Sequence, residues 1–269
     1  MFLHCVYGDQ IYIAHYIDGI SFTEGNRNVY AEASMQYNAY CDDFGPLNLA
    51  SVVDFIRALD REIAEFPHSK IFFCIEEGKR VLTNAVFLLG CYMILKLDMT
   101  PEQAASRFRW LEPSHIEPFR DATFAPADFR LSLLDCWRCL AKAQQQGWVR
   151  YCPSGYMWGA IDIDEYRHYD SVAQGNLTEV VPGKLVAFQG PEDLPGSAEY
   201  LDDARGARVF SPAFYANIML EMGVDTVVRL NEARYEAVFA TIAVRSSPSE
   251  FSAGTGAGPS IRVGPNTGI

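Results

Sequence analysis

A cysteine and an arginine separated by five residues form the clearest chemical pattern in this sequence. They bound residues 74–80 (CIEEGKR), which lie between a short apolar run and a long one. Cysteine-dependent hydrolysis of a phosphate ester uses this spacing. Backbone N–H groups of such a loop bind the anion and favour a thiolate nucleophile. The arginine then binds two phosphate oxygens with two parallel hydrogen bonds.

The residues of this loop nevertheless argue against catalysis. A working loop usually reads His-Cys-x-x-Gly-x-x-Arg, whereas Phe73 replaces the histidine and Glu77 replaces the glycine. Glu76 and Glu77 would also place two carboxylates beside a bound dianion, at a cost of roughly several kcal/mol each for an effective dielectric constant of about 20. We therefore predict that Cys74 and Arg80 belong to a degenerate, inactive loop.

No other motif predicts a metal or cofactor site. Cys136 and Cys139 form a single C-x-x-C pair without the second pair that a zinc site needs. The histidines lack ligand spacing; they are His4, His15, His68, His115 and His168. We expect no metal and no cofactor.

Alternating strands and helices should position the loop. Residues 70–75 (KIFFCI) are typical of a buried strand, and residues 47–66 have the apolar spacing of an amphipathic helix. Further helices are predicted from about residue 81, from residue 101 after a Thr100 cap, and at 126–146, 162–172 and 212–222, with strands at 184–188 and 225–230. This alternation predicts an α/β fold with a central sheet flanked by helices.

Charge and composition restrict the partners and the compartment. The 269 residues carry a net charge of −12, which disfavours nucleic acid and membrane surfaces and favours basic proteins or peptides. Residues 81–97 are apolar enough for a membrane check, but a buried helix is the better interpretation. Seven scattered cysteines and no signal peptide predict a reducing compartment, in the nucleus and cytoplasm.

Six phrases in order carry a resemblance to a known family. The chain resembles the cell-division-cycle-fourteen family of dual-specificity protein phosphatases over roughly residues 1–240. The phrases are DFGPLNLA (43–50), FFCIEEGKRVLTNAVFLLGCYMIL (72–95), PFRDATF (118–124), DEYRHYDSV (164–172), VPGKLVAFQGP (181–191) and VVRLNEARYEA (227–237).

The resemblance implies two tandem phosphatase-like domains, of which the first is non-catalytic and carries the degenerate loop. We accordingly expect a non-catalytic domain at 1–180, a linker at 181–211 and the truncated start of a catalytic domain at 212–244. The Gly/Ser/Pro-rich residues 245–269 should form a disordered tail.

The resemblance also implies a substrate groove that takes phosphoserine followed by proline, with a basic residue nearby. Acidic side chains of the first domain and linker contribute to that groove. By motif, Asp121 and Asp170 fall on two such positions, whereas Ala173 falls on a third and lacks the charge. We predict Asp121 and Asp170 as substrate-binding residues and phosphorylated proteins with basic segments as partners. The oligomeric state stays open.

After Ala237 the family pattern stops, and no cysteine follows Cys152. The general acid and the reactive His-Cys-x-x-Gly-x-x-Arg loop are therefore missing from these residues, and whether the chain is an enzyme stays open. One hypothesis is a recognition module without its own nucleophile. The alternative is an active phosphatase whose catalytic domain is lost through truncation or a gene-model error. A third is activity from Cys74 itself.

Overall fold

Strands and helices alternate along the chain, as the α/β prediction requires. The structure is a computed structural model. It describes residues 2–15, 25–30, 37, 39, 41–202, 207–230, 235 and 261–263. The chain divides into two units, Met1–Ile163 and Asp164–Ile269. The two units are described separately, and the domain boundaries expected above stay a prediction.

The described residues contain six α-helices and a set of mostly short strands. The helices are α1 (Leu49–Glu65), α2 (Lys79–Leu97), α3 (Pro101–Ser106), α4 (Leu133–Gln145), α5 (Ile163–Asp170) and α6 (Pro212–Glu221). The strands of the first unit are β1 (Phe2–Tyr7), β2 (Ile11–His15), β3 (Asn26–Tyr30), β4 (Lys70–Ile75), β5 (Phe119–Arg120), β6 (Arg130–Leu131), β7 (Met157–Trp158) and β8 (Ile161–Asp162). Those of the second unit are β9 (Leu177–Val181), β10 (Leu185–Phe188), β11 (Tyr200–Asp202), β12 (Arg208–Phe210), β13 (Val224–Thr226) and β14 (Ile261–Val263).

A four-stranded mixed sheet with the order β1-β2-β4-β3 forms the centre of the first unit. β1 and β2 make an antiparallel hairpin, and β4 pairs in parallel with β2 on one side and β3 on the other. Phe73 of β4 lies level with Ile13 and with Val29, and all three are buried. The strand predicted at 70–75 is confirmed, while β1, β2 and β3 were not predicted.

Helix α1 forms because apolar residues recur on one face and Asn48 caps its start. The Asn48 side chain accepts a hydrogen bond from the backbone N–H of Ser51 at 2.9 Å, which satisfies an end group of the helix. Phe55 packs on Phe73 with ring centroids 4.9 Å apart, which joins the helix to the sheet.

Helix α2 is apolar around its whole circumference, and residues 82–95 are all buried. Within the described ranges it is the one helix long and apolar enough to cross a membrane. It contacts α1, α3 and α4 and so forms the core of its unit. The indole Nε1 of Trp137 in α4 donates to the carbonyl of Phe87 at 3.1 Å. The prediction of a buried helix in this region is confirmed.

The helix predicted at 126–146 starts seven residues later, at Leu133, so its predicted beginning is wrong. The reason is a capping box, which fixes the start of a helix through two reciprocal hydrogen bonds. Ser132 Oγ accepts from the Asp135 backbone N–H at 3.2 Å, and the Asp135 carboxylate accepts from the Ser132 N–H at 3.0 Å. The Thr100 cap before α3 is confirmed, with Gln103 as its partner.

The described part of the second unit contains nearly all of α5, antiparallel strand pairs and α6. β9 pairs with β10, β11 with β12, and β13 with β14. Residues 181–211, expected to be a linker, thus include β10, β11 and β12. Of the predicted tail, Ile261–Val263 pair with β13, and the rest of 245–269 lies outside the described residues. A small core joins these elements and contains Leu177, Phe210, Tyr215, Ala216, Met219, Val224, Val227 and Tyr235.

Candidate functional site

The cysteine of the 74–80 loop lies inside a strand and not at the head of the loop. Cys74 is the penultimate residue of β4 and is half-buried. Its Sγ lies 3.5 Å from the carbonyl oxygen of Phe72 two residues earlier. Burial raises the pKa of the Cys74 thiol above its ordinary value. The group is therefore a neutral thiol near pH 7, and a thiol is a much weaker nucleophile than a thiolate.

Three residues connect β4 to α2, and two of them are acidic. Glu76 and Glu77 are exposed, and Gly78 occupies the N-cap position with φ of +148°. Few residues other than glycine adopt such a backbone conformation. Gly78 has no side chain with which to cap the helix, so the start of α2 depends on groups from elsewhere in the chain.

Arg80, in the first turn of α2, binds two carboxylates of its own chain. Nε donates to Oε2 of Glu117 at 3.1 Å, and Nη2 donates to Oε1 of Glu117 at 2.9 Å. Nη2 also donates to Oδ1 of Asp42 at 2.8 Å, and Nη1 lies 3.4 Å from the carbonyl oxygen of Asp43. The hydrogen bonds that Arg80 donates to Glu117, more than any other interaction, raise the pKa of Arg80 further above its ordinary value. All three guanidinium nitrogens thus have acceptors within the protein.

Asp42 connects this arginine to a second one. Its Oδ2 accepts from Nη1 of Arg120 at 2.6 Å, while its Oδ1 accepts from Arg80. The backbones of Phe44 and Arg120 also exchange two hydrogen bonds, of 3.3 Å and 2.7 Å. The segments that carry the DFGPLNLA, CIEEGKR and PFRDATF phrases therefore meet at one place in the first unit.

Asp43 lies beside this network and is 6% exposed. Its Oδ2 accepts from the Tyr37 hydroxyl at 2.5 Å, and its Oδ1 accepts from the Cys41 backbone N–H at 2.7 Å. Burial alone would raise the pKa of this carboxyl, but the donors from Cys41 and Tyr37 outweigh it and lower the pKa to about 2. Asp43 is thus a charged, hydrogen-bonded residue of the interior.

The predicted substrate-binding residue Asp121 directly follows β5 in the first unit. It is half-buried, and its Oδ1 atom has no hydrogen-bond partner among the residues that the structure describes. Arg120 donates from Nη2 to the carbonyl of Ala125 at 3.3 Å and so spans the turn that contains Asp121. Phe124 of the same turn is 88% exposed.

The other predicted residue, Asp170, is the last residue of α5 and belongs to the second unit. Its Oδ1 accepts from the Thr178 hydroxyl at 2.9 Å. In the same unit the carbonyl of Ala173 accepts from Nη1 of Arg208 at 3.0 Å. The Asp170 carboxylate therefore already has a partner within the chain, in contrast to Oδ1 of Asp121.

Asp42 and Glu117 are the important residues that the sequence patterns missed. Each stands one position before a family phrase, Asp42 before DFGPLNLA and Glu117 before PFRDATF. The available signal was the need of a partly buried Arg80 for carboxylate partners, since buried charges are usually paired. Several acids could have met that need, so the sequence did not identify which ones.

Comparison with known proteins identifies the same family that the six sequence phrases resemble. The sequence profile described as "Dual specificity protein phosphatase, N-terminal half" matches residues 8–143. The chain is 33% identical over 205 residues to dual specificity protein phosphatase CDC14C of Homo sapiens, which covers 76% of this chain and 43% of that protein. It is 32% identical over 234 residues to CDC14A of Homo sapiens, covering 85% of this chain and 37% of that protein.

A relative of lower identity covers the same share of this chain as human CDC14A. Tyrosine-protein phosphatase CDC14 of Candida albicans is 26% identical over 231 residues, which is 85% of this chain and 39% of that protein. The chain thus spans about two fifths of the length of these relatives. The family profile covers half of the chain, and the resemblance found in the sequence is confirmed. The chain belongs to the CDC14 family of dual-specificity protein phosphatases.

Proposed function

We propose that this chain is a recognition module without a competent nucleophile, and that it binds phosphorylated protein segments in which phosphoserine-proline is followed by a basic residue. The observation that supports the lack of a competent nucleophile is the bidentate contact of Arg80 with Glu117, at 3.1 Å and 2.9 Å. A guanidinium bound in this way cannot also hold two phosphate oxygens. A neutral Cys74 thiol within β4 supports the same conclusion. The phosphorylated ligand is proposed from the relatives, which are named as dual specificity protein phosphatases.

Recognition of a basic segment is supported by charge and by Asp121. The chain carries a net charge of −12, which attracts basic peptides and speeds their encounter. Asp121 is half-buried, and its Oδ1 has no partner among the described residues, so this carboxylate can still accept a hydrogen bond from a ligand. A lysine or arginine side chain of a bound peptide would supply one. Asp170 stays a predicted substrate-binding residue of the second unit, where Thr178 already donates to its carboxylate.

The test is equilibrium binding of two fluorescent phosphoserine-proline peptides, one with a lysine after the proline and one with a norleucine in its place. The full-length chain should bind the lysine peptide more tightly, and the preference should fall as salt rises. Asp121→Asn should weaken binding of the lysine peptide about 1.5- to 5-fold, the range of a single partly exposed ion pair. It should leave binding of the norleucine peptide unchanged.

Two exposed acids serve as matched controls. Asp128→Asn lies in the same segment as Asp121, and Glu199→Gln lies in the second unit with Asp170. Both substitutions remove one negative charge outside the proposed contacts, so both should behave as wild type. Equal binding of the two peptides at low salt would contradict the recognition role, and so would an equal effect of Asp121→Asn and Asp128→Asn.

A second candidate function is an active phosphatase whose catalytic domain lies outside these residues. The observation that favours it is length, because the chain spans only 37% to 43% of its human relatives, which are named as dual specificity phosphatases. Sequencing the transcript beyond the codon for Ala237 decides between the two. A downstream His-Cys-x-x-Gly-x-x-Arg loop in frame would support the second candidate, and its absence would support the first.

A further inference from the structure

The contact between Arg80 and Glu117 has the geometry that an arginine uses for an oxyanion ligand. A carboxylate and a phosphate both present two oxygens to the planar guanidinium, and both accept two roughly parallel hydrogen bonds. Here these bonds run from Nε and Nη2 to the two oxygens of one carboxylate, at 3.1 Å and 2.9 Å. The Glu117 carboxylate therefore occupies the position at which Arg80 would bind a phosphate.

The main chain of Glu117 is fixed to α2 independently of its carboxylate. Its backbone N–H donates to the hydroxyl of Thr83 at 3.1 Å. The Thr83 hydroxyl also lies 3.2 Å from the Glu117 carbonyl and donates to the carbonyl of Lys79 at 2.8 Å. Glu117 is thus held at the first turn of α2 by its backbone and by its side chain together.

Negative groups near the start of α2 lie outside the helix itself, at the exposed Glu76 and Glu77 before the N-cap. Its first turn contains no acidic residue, and its N-cap Gly78 makes no side-chain hydrogen bond. Helix N-termini favour anions, because unpaired backbone N–H groups and the helix dipole concentrate positive charge there. Glu117, 37 positions from Arg80 in sequence, brings a carboxylate to the arginine of this turn.

We propose that Glu117 is an internal pseudosubstrate: its carboxylate occupies the anion position of the 74–80 loop and keeps phosphate out. In this role the loop joins α2 to the segment that precedes β5 and does not bind an external ligand. The proposal rests on the contacts of Arg80, Thr83 and Glu117 and not on the recognition role of Asp121. It shares the Arg80–Glu117 contact with the proposed lack of catalysis, but the phosphate rescue below and the peptide-binding test above report on the two proposals separately.

The test is rescue of a Glu117 variant by inorganic phosphate. The melting temperature of the full-length chain is measured in sodium phosphate and in sodium chloride of equal ionic strength. Wild type should melt at the same temperature in both. Glu117→Ala should melt lower in chloride and regain about 3–6 °C in phosphate at roughly ten times its dissociation constant, because the added anion replaces the missing carboxylate.

Two further variants assign the rescue to this site. Glu112→Ala removes an exposed acid from the same segment and should gain nothing from phosphate. Glu117→Ala combined with Arg80→Met removes the ligand's partner and should also gain nothing. The proposal would be overturned if phosphate still raised the melting temperature of the double variant that lacks Arg80. It would also be overturned if phosphate raised the melting temperature of wild type as much as that of Glu117→Ala.

A direct binding measurement covers the case in which Glu117→Ala does not fold. Glu117→Gln keeps the size of the side chain and loses its charge. In ³¹P NMR titrations it should broaden the signal of inorganic phosphate, whereas wild type should not. Absence of broadening with folded Glu117→Gln would contradict the proposal, because the anion position would then be closed for a reason other than Glu117.

Discussion

Arg80 and Glu117 form a bidentate salt bridge. Nε of Arg80 lies 3.1 Å from Oε2 of Glu117, and Nη2 of Arg80 lies 2.9 Å from Oε1 of Glu117. Both side chains are about one third exposed, at 36% and 33%. The pair joins the first turn of α2 to the segment before β5, and Asp42 extends it to Arg120. A cysteine–arginine spacing that suggests phosphate binding thus coincides with an arginine whose partners are carboxylates of the same chain.

Gly90 is a position where any side chain should destabilise the first unit. A Cβ at Gly90 would lie 2.1 Å from Cε2 of Trp137, far inside contact distance. Gly90→Ala should therefore lower the free energy of unfolding by about 1–3 kcal/mol, the usual cost of overpacking a core. Chemical denaturation followed by tryptophan fluorescence measures this change.

A double-mutant cycle distinguishes the clash from a general helix effect. Alanine favours a helix over glycine by about 1 kcal/mol. In a Trp137→Leu background, Gly90→Ala should therefore be neutral or stabilising. An equal loss from Gly90→Ala in both backgrounds would show that Trp137 is not the cause.

Asp43 should make the free energy of unfolding of the first unit depend on pH below about 4. Its carboxyl has a pKa of about 2 in the folded protein against an ordinary value of 3.8. The unfolded chain therefore binds a proton at a higher pH than the folded chain. The stabilisation is fully present above about pH 4 and is lost as the pH falls toward 2.

Asp43→Asn tests this dependence. At pH 7 the variant should be less stable by about 1–3 kcal/mol, because it loses charge-assisted hydrogen bonds from Tyr37 and Cys41. The difference between variant and wild type should shrink as the pH falls from about 4 to 2. Urea denaturation over that range provides the comparison, and a difference that stays constant with pH would show that Asp43 titrates normally.

Asp60 of α1 should stabilise the packing of α2 and of the chain around Tyr151. It accepts from Nζ of Lys96 at 3.1 Å and from the hydroxyl of Tyr151. Asp60→Asn should lower the free energy of unfolding by about 1–2 kcal/mol, since the pair is partly exposed to solvent. Glu65→Gln, an exposed position on the same helix, is the matched control and should change stability very little.

The sequence predicted the elements whose signals are local. Apolar spacing and the run KIFFCI predicted α1 and β4, and the Thr100 cap predicted the start of α3. The helix predicted from residue 126 begins instead at Leu133, because the Ser132–Asp135 capping box fixes its start. β1 and β2 were missed although their hairpin has a local signal, a turn at Gly8 and Asp9 with positive φ between two apolar segments.

The carboxylate partners of Arg80 could not be predicted, because they lie far from it in sequence. The position of the 74–80 loop between a strand and a helix was predicted correctly from the apolar runs on either side of it. Which carboxylates reach Arg80 depends on how the segments around Asp42 and Glu117 pack, over separations of 38 and 37 residues. Local patterns do not determine contacts at that distance.

We propose above that this chain binds a phosphorylated basic segment and does not hydrolyse it. The most direct measurement follows, in one sample, the binding of a phosphoserine-proline-lysine peptide by fluorescence anisotropy and the release of inorganic phosphate. We predict saturable, salt-sensitive binding with no phosphate release above buffer, for wild type and for Cys74→Ser alike. Phosphate release by wild type that disappears in Cys74→Ser would contradict this prediction and would show that Cys74 is a working nucleophile.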